Sequence, residues 1–346
     1  MKKQVIIATL MTLCLVIGAT ADGGPRADLG AQKASRLAPQ KPTKEGLQKP
    51  DAEESVIGSA VMWEGPVDIE HRDLFYGTGG KKGAPDLSDR FTFIQKHTTG
   101  HWKKIDVEDS RGRRWVVKFG PEARPETVAS RIVWAVGYHT DQDYFVKRIR
   151  IEGYGDDAVE DIRFERDNDG FKKVERWAWD SNPFVGTREL DGLKVLMALL
   201  NNFDLKTLNN KIVRPSKKKS NDPTQLIYYV SDLGATLGST GKWFTSLPLW
   251  GELPAGTQGR PKDFAEHRFV ASVSQGVVSF HEKRVRAGRA LEGVHVENAR
   301  WMGNLLARLS DQQLSDAFRA GGFTAAETAI YMRALRGRIN QLQSLK

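Results

Sequence analysis

A chain of 346 residues, 40% hydrophobic and 27% charged, has the composition of an ordinary globular protein and the length for one large two-lobed domain or two average ones. Its single cysteine, Cys14, excludes an internal disulfide and a cysteine-ligated metal cluster. The formal charge of +9 favours anionic partners such as nucleotides or phospholipid surfaces. The basic run Lys217-Lys218-Lys219 has no aromatic interleaving of the kind that stacks on bases, so it reads as a hairpin tip and no specific nucleic-acid role is expected.

The first segment reads as an address. Lys2 and Lys3 precede an apolar run from Val5 to Ile17, and Ala19-Thr20-Ala21 offers a small-x-small cleavage site. Residues 1–21 are therefore expected to be a signal peptide, and the protein to be exported to the periplasm or beyond. The run is too short to favour a membrane span, and no later segment approaches one. Loss of the two lysines leaves +7, and loss of Cys14 leaves no thiol chemistry. Residues 22–55, with Pro25, Pro39, Pro42 and Pro50 among Lys, Gln and Ala, read as a disordered tether.

Folded structure is expected from residue 56. Phe91 to Ile94, Trp102 to Val107 and Arg114 to Phe119 read as strands, with a turn at Asp109-Ser110-Arg111-Gly112. Pro125-Glu126 opens a helix with Val128, Ile132, Val133 and Val136 on its apolar face, and Gly137 stops it. Tyr144 to Ile151 reads as another strand. Glu189 to Asn201 is an amphipathic helix with Leu190, Leu193, Leu196, Met197 and Leu200 at helical spacing. Ile212-Val213 and Leu226 to Val230 form a hairpin around a polar, basic insert. Beyond Asp263 the chain reads as mainly helical, with helices over Gln312 to Gly322 and Ala325 to Leu342, and Gly238 to Asp263 as an activation-type loop or a connector. Strand, turn, strand, helix, strand is the layout of a small nucleotide-binding lobe, and the whole reads as α+β: a mixed lobe over 56–180 and a mainly helical lobe over 181–346.

Four groups of residues carry chemistry. Lys118 sits on the alternating strand Trp115-Val116-Val117-Lys118-Phe119 and precedes a helix bearing Glu126, with Glu122 as a possible substitute. A lysine so placed is usually solvent-facing; a carboxylate partner makes it a fixed cation for phosphates. Asp204, Lys206 and Asn209 follow the long helix in the order Asp-x-Lys-x-x-Asn. Asp232 ends the apolar strand Leu226 to Val230 and leads into Leu233-Gly234, a turn suited to holding magnesium. Thr98-Thr99-Gly100-His101 is the best candidate for a phosphate cover. Each piece alone is an ordinary turn or strand; their order gives the pattern its weight.

From roughly Phe91 to Gly238 the chain resembles the protein-kinase-like superfamily, and more its atypical exported or bacterial branches (secreted Fam20-type, spore-coat-type and HipA-type kinases) than the eukaryotic protein kinases. Asn182-Pro183-Phe184-Val185-Gly186-Thr187-Arg188-Glu189-Leu190 also resembles a group of uncharacterised exported bacterial proteins, and names no substrate. The resemblance implies a two-lobed kinase-like fold that binds ATP with magnesium. In it Lys118 and Glu126 would hold the α/β-phosphates under Gly100, Asp204 would orient the acceptor hydroxyl, Lys206 would neutralise the moving phosphoryl group, and Asn209 and Asp232 would hold the metal. Asn202 and Phe203 stand where the family has histidine and arginine, no G-x-G-x-x-G precedes Lys118, and no A-P-E follows Asp232. The expected activity is phosphoryl transfer to a hydroxyl on protein, lipid headgroup or small molecule, with an inactive scaffold of the same fold as the alternative. Rival chemistries lack support: His101-Trp102-Lys103 has no second copy, His281-Glu282 lacks a histidine at zincin spacing, and no G-x-S-x-G occurs.

Overall fold

The computed structural model describes residues 60–66, 68–100, 102–167, 170–222, 224–239, 256–281 and 289–346. The expected signal peptide and tether lie outside them, as does most of Gly238 to Asp263. No helix among the described residues is long and apolar enough to cross a membrane.

The architecture is α+β, as the sequence predicts. Strands β2 (Phe91–Lys96), β3 (Lys104–Asp109), β4 (Arg114–Lys118), β6 (Asp143–Ile149) and β7 (Val159–Arg166) form an antiparallel sheet in the order β2-β3-β4-β7-β6. Helix α1 (Ala123–Ala135) connects β4 to the rest, and Gly137 (φ 104°) ends it in the left-handed conformation that glycine tolerates. Alternation divides the sheet. Phe91, Ile105, Val107, Trp115, Val117, Ile162 and Phe164 are buried together on one face. Lys118, Arg163 and Asp143, buried as deeply, take the other.

A second sheet is built around β10 (Leu226–Val230). It pairs antiparallel with β9 (Asn210–Pro215), which continues to β8 (Phe171–Glu175). Along its other edge β10 takes two short parallel strands in tandem, β1 (Ala60–Val61) and β5 (His139–Thr140). The basic insert between β9 and β10 contains a turn at Lys217–Lys219, as expected of a hairpin tip.

Helix α2 (Arg188–Leu199) begins at Thr187, whose side chain accepts a hydrogen bond from the Leu190 N–H. Helices α3 (Pro261–Glu266), α4 (Val296–Ala307), α5 (Asp311–Ala320) and α6 (Ala325–Gln343) follow, the last two opened by capping boxes at Ser310 and Thr324. Val128, Ile132 and Val133 of α1 join Leu193, Leu196, Leu306, Phe318 and Tyr331 in one large core. So α1 turns its apolar side to the helices and Glu126 to the charged face of the first sheet.

The region beyond Asp263 is mainly helical, as expected, but it also holds β11 (Val270–Ser274), β12 (Val277–Phe280) and β13 (Val294–His295), a third, three-stranded antiparallel sheet that the sequence reading lacks. The β11–β12 turn uses Gln275 (φ 51°) and Gly276 (φ 76°), both left-handed, as two-residue hairpins require. Gln-Gly is a weaker signal for that turn than Asn-Gly, and strands of five and four residues carry little periodicity.

Candidate functional site

Lys118 ends β4 with 1% of its surface exposed, and its Nζ is held by three carboxylates. Glu122 Oε2 lies at 2.5 Å, Asp232 Oδ1 at 2.6 Å and Glu126 Oε2 at 3.0 Å. The helix makes this possible. Glu122 stands just before α1 and Glu126 one turn into it, so both side chains share the face turned to the strand. The alternatives weighed from the sequence are thus both present. Asp232 arrives from the second sheet, two residues beyond β10, in the left-handed region (φ 51°), where a non-glycine residue is strained. Behind it Gly234 leaves room for Glu122: a Cβ there would stand 2.6 Å from the Glu122 Cβ.

The cluster extends past Lys118. Arg163 on β7 is the direct cross-strand neighbour of Lys118. Its Nη1 meets Asp143 Oδ1 at 2.5 Å and Glu126 Oε1 at 3.1 Å, and its Nη2 meets Glu165 Oε2 at 2.8 Å. Lys211 on β9 closes the chain of charges, pairing with Asp141 and lying 3.9 Å from Glu165. Six carboxylates (Glu122, Glu126, Asp141, Asp143, Glu165, Asp232) share three cations (Lys118, Arg163, Lys211). The surplus is negative. Burial works against the charge of Lys118, but Glu126, Asp232 and Glu122 outweigh it and its pKa is raised. Burial pushes Glu126 up to about 8 against the pull of Arg163 and Lys118, and it raises Asp143 to about 6. Asp232 goes the other way: burial is outweighed by Lys118 and Lys104, which hold it at about 2. With 38% of its side chain exposed, Asp232 is the anionic edge of the cluster that faces outward.

The loop after α2 supplies the other candidates. Asn202 Oδ1 accepts the Asp204 N–H, and the Asn209 side-chain amide donates to the Asp204 carbonyl at 2.6 Å. Lys206 Nζ lies 2.9 Å from Asp204 Oδ2, while Asp204 Oδ1 is buried with no hydrogen bond among the described residues. The Asn209 carbonyl accepts the Ser231 N–H at 3.0 Å, which docks the end of this loop beside Asp232. Phe203 N–H to Ala235 O and Leu237 N–H to Leu200 O fasten the two segments further. Asn201 and Leu237, like Asp232, are non-glycine residues with positive φ. Backbone strain is therefore concentrated where these segments meet.

The fold thus gathers Lys118, Glu126 and Asp232 in one contact set, and Asp204, Lys206 and Asn209 in another tied to it through Ser231. Gly100 (φ 107°) sits in the β2–β3 turn, and none of the hydrogen bonds or ion pairs of either set reaches it. Sequence reasoning passed over Arg163, Asp143, Glu165, Lys211 and Asp141. The available signal was Arg163 and Glu165 at alternate positions of Val159–Arg166, on the face that also carries Lys118 once β4 and β7 pair.

No protein-family model and no curated protein matches the sequence. Among solved structures, the crystal structure of a Helicobacter pylori proinflammatory kinase, CtkA, is similar over 73% of this chain and 93% of that one, at 12% identity and a TM-score of 0.42.

Proposed function

We propose that this chain is an exported kinase-like phosphotransferase that binds ATP between Lys118 and Asp232 and transfers its γ-phosphoryl group to a hydroxyl acceptor at Asp204. What supports the reading is one arrangement: a buried lysine on the third strand of an antiparallel sheet, paired to a glutamate on the next helix, within 2.6 Å of the acid that follows a hairpin. Kinase sites have that arrangement because phosphoryl transfer depends on positioning and charge more than on covalent help.

The residues also fit a divalent cation. Asp232 is anionic and partly exposed, Glu122 and Glu126 stand close to it, and Asn209 is tied by its carbonyl to Ser231, the residue before it. Asp232 and Asn209 would hold magnesium, which when bound neutralises charge developing on the phosphates. Lys118 would exchange its contact with Asp232 for the α/β-phosphates and keep Glu126. The Asp204 carboxylate, released from Lys206, would accept the proton of the acceptor hydroxyl. The acceptor oxygen forms its bond to phosphorus as the bond to the β-phosphate oxygen breaks and ADP leaves. Lys206, now on Asp204, would turn to the moving phosphoryl group.

Thermal unfolding with ATP, with and without magnesium, tests this. A ligand at a hundred times its dissociation constant adds about 2.7 kcal/mol, and each kcal/mol moves the midpoint of a chain this size by roughly 1–2 °C. The shift is expected to require magnesium and to vanish in Asp232→Ala, which keeps Lys118 paired to Glu122 and Glu126. No shift at saturating ATP would leave the fold as a catalytically silent scaffold.

A further inference from the structure

The β8–β9 side of the second sheet gathers charge of one sign. Lys172, Lys173 and Arg176 lie on β8 and just past its end, and all three are exposed. Arg214 on β9 and Lys217, Lys218 and Lys219 in the turn beyond it are exposed as well. Against these seven cations, residues 171–176 and 210–222 offer two acids, Glu175 and Asp222. None of the seven has an ion pair or a side-chain hydrogen bond among the described residues.

The register builds this crowding in. Lys172 stands directly opposite Arg214, a placement in which like charges repel. The first sheet does the reverse: Arg114 faces Glu108 and Arg148 faces Glu160, and the side chains meet at 3.5 and 2.7 Å. Lys173 is crowded too, since burial and then the charges of Arg176 and Lys211 lower its pKa. β8 is the edge of its sheet, and edge lysines discourage pairing with another chain. That accounts for Lys172 or Lys173, but not for Arg214 or for three more lysines in the turn.

We infer that β8, β9 and the Lys217–Lys219 turn form a docking surface for an anionic phospholipid bilayer. Five of the seven cations are lysines, compact charges on flexible stems. They suit a mobile array of headgroup phosphates better than the fixed geometry that arginine reads. Val174, 48% exposed among them, adds apolar area that a nucleic-acid backbone would leave unused. No ring on these strands is free to stack on a base: Phe171 packs on Tyr229 at 6.4 Å, and Lys219 Nζ covers it at 5.8 Å. The surface shares no residue with the cluster around Lys118, so it is independent of phosphoryl transfer and either can fail without the other.

Co-sedimentation of the full chain with vesicles of phosphatidylcholine, alone or with about one-third phosphatidylglycerol, tests the assignment. The readout is the ratio of the two affinities, in which apolar contributions from other segments cancel. Each cation near a charged membrane contributes roughly fivefold. The ratio is therefore expected to exceed about a hundred at low salt and to fall as salt is raised. It should drop about a hundredfold in the triple variant Lys172→Gln, Lys217→Gln, Lys218→Gln. Lys217→Glu with Lys218→Glu, confined to the turn, is the second variant should the first fail to fold. Arg111→Gln, Lys147→Gln, Arg148→Gln takes the same charge from the first sheet, where each cation is paired, and should change the ratio less than about threefold. A ratio near unity in the parent chain, an unchanged ratio in the β8–β9 variants, or equal losses in both triple variants overturns the assignment. Tighter binding to single-stranded RNA than to the anionic vesicles at the same salt also overturns it, by giving the surface to nucleic acid.

Discussion

The two faces of the five-stranded sheet are made from alternate residues of the same strands, and each has a buried centre. On one, Trp115, Val117 and Phe164 are fully buried among aromatic and branched side chains, with rings of Trp115 and Phe164 5.8 Å apart. On the other, Lys118 and Arg163 are each 1% exposed, and their cationic ends are met by carboxylates. The apolar face is held by area removed from water and tolerates small shifts of partner. The charged face gains little net stability from its pairs, since desolvation offsets most of the attraction, but it is severely penalised when one member is lost. An arrangement that is weak in net stability and strict in geometry suits a site better than a core.

The largest expected effect separates the faces by pH. Arg163→Met removes the cation shared by Glu126, Asp143 and Glu165 and should cost about 3–5 kcal/mol near neutral pH. Trp115→Ala should cost about as much, about 3–5 kcal/mol, by opening a cavity. Urea unfolding at pH 5 and pH 8 distinguishes the causes. Glu126 and Asp143 are raised by burial to about 8 and about 6, so at pH 5 both hold protons and the loss of Arg163 hurts less. The Trp115 cost should not change. Equal costs for Arg163→Met at both pH values would mean that its contribution is packing alone.

The same contrast explains what was legible in the sequence. Lys118, Asp204, Asn209 and Asp232 are visible because each sits in a short local pattern, and the apolar faces of α1 and α2 show as helical spacing. The strand Val159–Arg166 was missed altogether. Glu160, Asp161, Arg163, Glu165 and Arg166 are the sort of residues that mark a solvated surface, and nothing local says that a Lys118 and a Glu126 from elsewhere will meet them. Buried charge is a property of the assembled fold. The third sheet, β11 to β13, escaped for a different reason: its strands are short, and its turn, Gln275-Gly276, is a weaker signal than Asn-Gly.

Asp109 tests whether the apolar face can hold a charge at all. It is buried, accepts from the backbone N–H groups of Arg111 and Arg113, from Arg113 Nε at 2.6 Å and from Trp115 Nε1 at 3.2 Å. Burial opposes its charge, but the Arg113 backbone bond and the side-chain donors win, and its pKa lies below the usual value of 3.8. A depressed acid contributes stability that is present above its unfolded pKa and lost as pH falls through the folded one. Asp109→Asn should therefore cost about 1.5 kcal/mol at pH 7 and progressively less below about pH 4, measured by thermal melts across that range. A constant cost would assign the effect to shape.

Glu126→Gln carries the comparison to its smallest and most diagnostic effect. With its pKa raised from 4.5 to about 8, Glu126 keeps a proton in the folded chain at pH values where the unfolded chain has released it. Folding then takes up a proton, so the sign is opposite to that of Asp109: wild-type stability falls as pH rises from about 4.5 to 8 and levels off above. Glutamine imitates the protonated acid. At pH 5 the variant should match the wild type to within about 0.5 kcal/mol, the range of a neutral substitution. Towards pH 8 the wild type should lose ground to it. Urea titrations of both proteins at pH 5, 6.5 and 8 read the gap directly. If instead the variant is less stable by a constant amount, Glu126 is ionised throughout, and its two cations outweigh its burial. The surplus negative charge of the cluster then resides on Glu122 and Asp232, at the edge where a divalent cation would be received.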